Sequence, residues 1–155
     1  MSMIHSAPSY RDTAAQSAAG TFAANDDAGK LLLRVVLGVL ILLHGIAKIV
    51  GGPGFIVGVV SKAGLPAALA YGVYIGEVIA PLLLIAGLWT RAAAVVVAVN
   101  MLFAVLLVHT GDLFKLSQTG GWALELQGLM FAVAAAIALF GAGRYSVGGS
   151  TGRWN

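Results

Sequence analysis

The sequence predicts an all-α protein, a transmembrane four-helix bundle with its N- and C-termini in the cytoplasm. Of its 155 residues, 59% are hydrophobic and only 10% are charged, which is too little charge for the surface of a soluble domain. The hydrophobic residues form four continuous runs. Each run is within the range of about 17 to 25 residues that crosses a bilayer as a helix.

The four runs are separated by residues that break helices. Gly51-Gly52-Pro53-Gly54 and Gly64-Leu65-Pro66 lie between the first and second runs, and Gly120 and Gly121 precede the fourth run. Pro81 lies inside the second run and should kink that helix, because it cannot donate a backbone hydrogen bond. The predicted helices cover residues 31–50, 67–88, 92–108 and 122–140.

Three segments follow from this pattern. Residues 1–29 are polar and alanine-rich without an apolar face, so we expect a disordered N-terminal tail. Residues 30–146 form the transmembrane domain, and residues 147–155 form a short C-terminal tail. A cleaved signal peptide is the alternative for the N-terminus. It is less favoured because the region before the apolar run is long and no small-x-small cleavage site closes the run.

The basic residues predict the orientation of the bundle. Six lie on the side that holds both termini: Arg11, Lys30, Arg34, Arg91, Arg144 and Arg153. Three lie on the opposite side: Lys48, Lys62 and Lys115. An excess of basic residues marks the cytoplasmic side, so both termini are expected there. We expect Arg34 and Arg91 to serve as anchors at the membrane interface, where Trp89 and Trp122 are also placed.

Several kinds of chemistry are excluded or disfavoured. The chain has no cysteine, which rules out a thiol relay, an internal disulfide and an iron–sulfur cluster bound by this chain alone. No H-E-x-x-H spacing and no Ser-His-Asp arrangement with an elbow motif occurs, and we predict no metal site. The basic residues are spread along the chain, so we expect no nucleic-acid partner.

Ionisable and amide side chains inside the runs are candidates for function, because burying them in a membrane is costly. The number of residues from each side chain to the end of its helix gives its depth in the membrane. By this measure the polar side chains lie in the outer half of the bundle, where His109 also ends the third run. Two of these residues have an alternative, non-functional explanation. The side chain of Lys48 could extend to the membrane interface, and Glu125 could be a solvated residue at the start of a helix. The candidate polar intramembrane site comprises His44, Lys48, Glu77, Asn100 and Glu125.

Small residues recur at helical spacing on two of the predicted helices. One stripe on the second helix contains Gly72 and Gly76, and one on the fourth contains Gly128 and Ala132. Such stripes allow helix backbones to approach closely in lipid. We favour packing within the bundle, and a homo-oligomer interface is the alternative.

The motifs between Leu31 and Val147 resemble those of the DoxX family of small four-helix membrane proteins. The first helix reads Leu43-His44-Gly45-Ile46-Ala47-Lys48, and the membrane glutamate Glu77 follows. The turn Gly87-Leu88-Trp89-Thr90-Arg91, then Glu125 and the segment Gly141-Ala142-Gly143-Arg144-Tyr145-Ser146, complete the resemblance.

The resemblance implies a multi-pass protein of the bacterial inner membrane, in contact with the lipid bilayer. Some DoxX relatives are linked to quinone-coupled oxidation of thiosulfate or to oxidative-stress complexes. We therefore expect a membrane subunit of a quinone-linked oxidoreductase system, with quinone as the candidate cofactor and with electrons supplied by a soluble redox partner or a bound cofactor. A non-enzymatic assembly factor, scaffold or small-solute carrier is the alternative, and the sequence does not decide whether the chain is an enzyme.

Overall fold

The computed structural model describes the backbone of residues 10–155 and the side chains from residue 23 onwards. Over these residues the protein is all-helical, as predicted, and β-structure is limited to an isolated bridge between Leu116 and Trp122. The helices are α1 (Tyr10–Gly51), α2 (Gly54–Lys62), α3 (Ala67–Ala86), α4 (Thr90–Val108) and α5 (Glu125–Phe140).

Three helical segments are long and apolar enough to cross a membrane. They are Ala23–Gly51 of α1, α3 and α4, with mean hydropathy of 2.2, 1.9 and 2.3. Helix α5 is also apolar but has 16 residues, which corresponds to about 24 Å of helix. Each predicted hydrophobic run overlaps one of these four helices. The last residue of the run and the last residue of the helix differ by at most two positions.

The N-terminal region differs from the expected disordered tail, because residues 10–29 belong to α1. The part of the expectation that concerns residues 1–9 lies outside the described residues. Alanine-rich sequence has a high helix propensity, and extending a stable helix needs no new nucleation step. The carboxylate of Asp27 is buried and accepts a hydrogen bond from the backbone N–H of Arg144 at 3.0 Å.

Helix α2 occupies a segment in which the sequence predicted only a connection rich in glycine and proline. Its nine residues are too few to cross a bilayer, so a search for long apolar runs does not detect it. Pro53 lies at its N-cap, a part of a helix where the missing N–H of proline is tolerated. The side chains of Ile56, Val59 and Val60 face α3 and α4 across a cavity described below.

The bundle has a small apolar core between α1, α3, α4 and α5. Leu84, Ala94, Val97 and Ala134 are fully buried in it. Many large apolar side chains remain exposed on the apolar helices, including Leu43 of α1, Leu102 of α4 and Leu139 of α5. In a membrane such side chains face lipid, and this pattern accords with a helical membrane protein.

Helices α1 and α3 cross at very close range, and two glycines of α1 make this possible. A Cβ atom at Gly38 would lie 2.7 Å from Ile85 Cγ1 and 3.0 Å from the carbonyl oxygen of Pro81. At Gly45 a Cβ atom would collide with the carbonyl oxygen of Glu77. Backbone atoms cannot move aside as a flexible side chain can, so Gly45 sets the distance between α1 and the segment that carries Glu77.

One end of the bundle, which we call the arginine end, is closed by the buried Arg34 and the half-buried Arg91. Arg34 is 1% exposed and donates to the carbonyl oxygens of Leu84, Ile85 and Tyr145. Arg91 donates to the carbonyl oxygens of Ala138 and Leu139, at the C-terminal end of α5. The expectation that both arginines anchor the membrane interface is wrong for Arg34, because backbone carbonyls inside the protein surround its guanidinium.

The C-terminal segment, expected to be a short tail, packs against the arginine end. The N–H groups of Val147 and Gly148 donate to the carbonyl oxygens of Ala86 and Gly87, at 3.1 and 3.0 Å. Asn155 is 6% exposed, and its side-chain oxygen accepts from the N–H and hydroxyl of Thr90. These contacts tie residues 147–155 to the turn between α3 and α4.

Candidate functional site

The central residue of the candidate site, Glu77, lies in a π-helical turn. This turn spans Ile75–Ile79 within α3, and Glu77 is 3% exposed. Pro81 has no N–H to donate to the carbonyl of Glu77 four residues earlier, so the regular α-helical pattern is interrupted here. Single π turns inside α-helices are frequent at functional sites. The interruption expected at Pro81 is therefore located at the membrane glutamate.

Three polar side chains from three helices meet at this turn. Lys48 Nζ of α1 donates to Glu77 Oε1 in an ion pair, and Asn100 Nδ2 of α4 donates to the same oxygen at 3.3 Å. The second carboxylate oxygen, Oε2, is buried and has no hydrogen-bond partner among the described residues. We call Lys48, Glu77 and Asn100 the polar trio.

Glycine is required for the trio to assemble. A Cβ atom at Gly76 would lie 2.6 Å from Asn100 Cγ and 2.7 Å from Asn100 Cβ. The absence of a side chain at Gly76 allows Asn100 to reach Glu77, while Gly45 brings Lys48 close from the other side. Gly76 belongs to the predicted small-residue stripe, but Gly72 of the same stripe has no atoms within 4 Å of an added Cβ.

The polar trio forms one part of the wall of a cavity of about 360 Å³, which we call the apolar cavity. Ligand pockets in proteins span roughly 300–1,000 Å³. All of the other side chains that line it are apolar or are glycine, and most come from α2, α3 and α4. They include Ile56, Leu69, Val73, Val96, Val99, Phe103 and Leu107.

A second cavity, of about 200 Å³, lies beside the first and has more polar groups, so we call it the polar cavity. It is lined by the side chains of His44, Lys48, Glu77, His109 and Gln127, together with apolar residues of α1, α2, α4 and α5. Lys48 and Glu77 line both cavities, so the ion pair lies on the boundary between them.

The two histidines of the polar cavity share one pattern of hydrogen bonds. His44 Nδ1 lies 2.8 Å from the carbonyl oxygen of Leu40, and His109 Nδ1 lies 3.4 Å from Asp112 Oδ2. Since a carbonyl or carboxylate oxygen only accepts, Nδ1 carries the hydrogen in each ring. In neutral rings Nε2 is then an acceptor, and His109 Nε2 lies 3.4 Å from the side-chain nitrogen of Gln127.

Asp112 lies outside the helices that could cross a membrane, in a short 3₁₀ turn after α4. Lys115 Nζ donates to it at 3.0 Å, and its other oxygen faces His109. The hydrogen bond from Lys115, followed by that from His109, holds the pKa of the Asp112 carboxyl below its usual range. Asp112 is therefore ionised at neutral pH and places a negative charge at the surface end of the polar cavity.

The structure brings together some of the residues predicted for the site and separates others. Lys48, Glu77 and Asn100 are in direct contact, whereas His44 joins them only through the polar cavity. Glu125 lines neither cavity, and its Oε1 accepts from the N–H of Trp122 at 3.0 Å at the start of α5. The solvated helix start, which the sequence left open, describes Glu125 better than a place at the mouth of the site.

Sequence reasoning did not assign a role to Gln127 or to α2. Gln127 was visible as a polar residue in an apolar run, but its contact with His109 depends on how α4 and α5 face each other. Helix α2 contributes Phe55 and Ile56 to the cavity walls, and its short length concealed it. Within the residues that the structure describes, no group of three or more His, Cys, Asp or Glu side chains is placed to hold a metal ion.

Comparison with known proteins gives one family and two curated relatives. The DoxX family model matches residues 29–110, slightly more than half of the chain. An uncharacterized protein of Haemophilus influenzae is 36% identical over 102 residues, which cover 64% of this chain and 75% of the relative. A Bacillus subtilis protein named "Putative oxidoreductase CatD" is 36% identical over 80 residues, 52% of this chain and 59% of that protein. No solved structure shows a significant match.

Proposed function

The chain belongs to the DoxX family, and from this premise we propose that it is the membrane subunit of a quinone-linked oxidoreductase system. The apolar cavity with the polar trio in its wall is the observation that carries the proposal. The name of the Bacillus subtilis relative, which describes an oxidoreductase, supports the same class of reaction.

The residues of the apolar cavity fit the head group of a quinone. A quinone ring presents two carbonyl oxygens on an otherwise apolar body, and Lys48 and Asn100 supply N–H donors on an otherwise apolar wall. A quinol presents hydroxyl groups instead. Glu77 Oε2 is a buried acceptor without a donor among the described residues, and a quinol hydroxyl would satisfy it. The same trio thus offers donors to the oxidised form and an acceptor to the reduced form.

Electrons have to come from outside this chain. It has no cysteine, so it cannot bind an iron–sulfur cluster by itself. We therefore propose a soluble redox partner that delivers electrons to a quinone held at the polar trio. The role of this chain's own residues is to bind and orient the ring, to keep water from its apolar side and to hold a proton at Glu77.

The proposal includes a topology of four transmembrane helices in the inner membrane, with both termini in the cytoplasm. Helix α5 is the shortest of the four, but it contributes Met130, Ala134 and Ile137 to the core shared with α4. The excess of basic residues on the arginine end supports its cytoplasmic placement. Reporter fusions at Asn155 and within residues 111–121 should report opposite sides, and a periplasmic C-terminus would overturn the orientation.

Quinone binding can be tested directly on purified protein in lipid nanodiscs. Co-purified quinone is extracted and quantified, and a short-chain quinone is titrated while tryptophan fluorescence is recorded. Lys48→Met should weaken binding about 10- to 100-fold, because a hydrogen bond from a charged donor contributes about 1.5–3 kcal/mol. Lys62→Met is the matched control, since Lys62 is exposed and lines neither cavity.

The outcomes separate the two functional classes. Saturable binding that is lost in Lys48→Met and kept in Lys62→Met supports the quinone-linked subunit. A quinone-free preparation that binds no added quinone, or equal binding by both variants, overturns the proposal. It would leave the non-enzymatic assembly factor, scaffold or small-solute carrier as the better explanation.

A further inference from the structure

The position of Glu77 between two cavities raises the question of how its carboxylate exchanges protons. On one side lies the apolar cavity, whose only polar side chains are those of the trio. On the other side lies the polar cavity, whose wall also contains two histidines and a glutamine. Protons cross apolar regions slowly, because each bare charge has to be desolvated. The polar cavity is therefore the side from which a proton can reach Glu77.

Polar groups continue from this cavity to the protein surface. Asp112 is in the loop after α4, and its Oδ2 faces His109 Nδ1 at 3.4 Å. The opposite nitrogen of the His109 ring faces Gln127 at 3.4 Å, on the cavity wall. The side chains of Asp112 and His109 are 38% and 33% exposed. His109 thus connects a surface carboxylate to the cavity that reaches Glu77.

The polar cavity is suited to hold water. A water molecule needs an accessible volume of at least roughly 10–15 Å³ and two to four polar partners. The cavity measures about 200 Å³ and has five polar side chains in its wall. In a neutral His44 ring, Nε2 is free to accept from such water, because Nδ1 bonds the carbonyl oxygen of Leu40.

We infer that the polar cavity is a hydrated proton-access path from the surface at Asp112 and His109 to the carboxylate of Glu77, separate from the apolar cavity. One proton taken from the aqueous phase converts the Glu77 carboxylate into the acid, while Lys48 stays an ammonium. Release of the proton reverses this step, and no electron is transferred. The inference depends on the proposed function only for the identity of the quinone that would exchange protons with Glu77.

The groups that face Glu77 come from four helices. Helix α1 contributes the charge of Lys48 and the ring of His44, and α4 contributes Asn100 and His109. Helix α5 contributes Gln127, and α2 contributes only the apolar side chains Phe55 and Ile56 to the polar cavity. Lys48 is the cation paired with the carboxylate, and Oε2 has no hydrogen-bond partner among the described residues.

Hydration of the two cavities can be compared with single cysteines, because the chain has none of its own. Met130→Cys places a thiol in the wall of the polar cavity, and Val99→Cys places one in the apolar cavity. A charged, water-soluble thiol reagent should label Met130→Cys at least tenfold faster than Val99→Cys in nanodiscs. Equal rates, or faster labelling of Val99→Cys, would overturn a hydrated polar cavity.

Proton exchange at Glu77 is measured by time-resolved infrared spectroscopy after photolytic release of protons. Glu77→Gln identifies the carboxylic-acid band. Gln127→Leu should slow the rise of this band at least tenfold, whereas Val99→Ala in the apolar cavity should not change it. Thermal unfolding checks that each variant is folded. A Glu77 band that is absent at every pH, or a rate unchanged in Gln127→Leu, overturns the path.

Both measurements are made without quinone. A failure of quinone binding would therefore leave their results intact, and the two proposals can fail independently.

Discussion

The two ends of the bundle use the cations Arg34 and Lys48 in different ways. At the arginine end, Arg34 donates to three backbone carbonyl oxygens, and the C-terminal segment covers the turn beside it. At the opposite end, which we call the lysine end, Lys48 pairs with a carboxylate between two cavities, and one oxygen of this carboxylate has no partner in the described part of the chain.

The partner of each cation explains the difference. Backbone carbonyls cannot change their protonation state, so the contacts of Arg34 have one arrangement and serve to close the fold. A carboxylate can accept a proton, and the proposed proton path would give the pair of Lys48 and Glu77 two states with different charge. Open space next to that pair allows a ligand or water to respond to the change. A basic residue within an apolar run thus indicates a buried contact, and its partner decides whether that contact is structural or functional.

The largest effect is expected at the arginine end. Arg34→Met removes the donor to three carbonyl oxygens and should lower the free energy of unfolding by about 3–5 kcal/mol. Thermal unfolding in detergent measures this loss. Arg144→Met is the control, because its side chain is 75% exposed, and it should change stability by less than about 0.5 kcal/mol. Similar stability of the two variants would contradict a structural role for Arg34.

The second effect concerns coupling at the lysine end. In a double-mutant cycle of Lys48→Met and Glu77→Gln, we expect an interaction energy of about 1–3 kcal/mol, because each single change leaves its partner unpaired. Unfolding in detergent measures stability, and quinone titration measures binding. The i,i+4 pair of Lys30 and Asp26, whose carboxylate is 66% exposed, provides a control cycle, with expected coupling of about 0.3–0.5 kcal/mol.

The result of this cycle also decides whether the Lys48–Glu77 pair differs in role from the contacts of Arg34. Effects that add within about 0.5 kcal/mol would mean that Lys48 and Glu77 do not interact. Strong coupling in stability, with binding unchanged in every variant, would make the lysine end a structural ion pair like the contacts of Arg34.

A smaller effect is expected from the packing that assembles the trio. Gly76→Leu should destabilise the protein by about 1–3 kcal/mol, because a side chain there collides with Asn100. Gly72→Leu, one helical turn away, meets no atoms within 4 Å of its Cβ and should be nearly neutral. Thermal unfolding of the two variants side by side measures the difference. Equal stability would show that Asn100 can move away from Glu77 without cost.

The smallest effect is expected for the N-terminal region. Deletion of residues 2–25 should leave the unfolding temperature unchanged, because the described side chains of Ala23, Ala24 and Asn25 are exposed. Asp27→Ala, in contrast, removes the buried acceptor of the Arg144 N–H and should cost about 1 kcal/mol. A clear loss of folded protein in the deletion would show that residues before Asp27 also stabilise the arginine end.

Much of the fold could be predicted from the sequence because the membrane imposes a simple rule. A continuous apolar run of sufficient length becomes a helix, since every backbone polar group has to be satisfied within the segment. The predicted runs therefore coincide with α1, α3, α4 and α5. Helix α2 and residues 10–29 did not follow from this rule, because one segment is too short and the other too polar to indicate a spanning helix.

Three of the five candidate site residues were brought together as the same reasoning expected. Lys48, Glu77 and Asn100 were selected because polar groups at membrane depth need partners, and the structure shows them in contact. Depth along a helix can be counted from the sequence, but rotation about the helix axis cannot. Glu125 was placed near the site by depth alone, and in the structure it faces Trp122 and neither cavity.

The sequence by itself determined that the chain is helical, apolar enough for a membrane and dependent on a few costly polar residues. These properties follow from composition and run length, which act on each segment separately. Only the tertiary structure decided which polar residues meet, because the contacts of Gly45 and Gly76 set how closely α1 and α4 approach the π turn of α3. That approach placed a lysine–glutamate pair between two cavities, while backbone carbonyls at the other end made an arginine a closing contact.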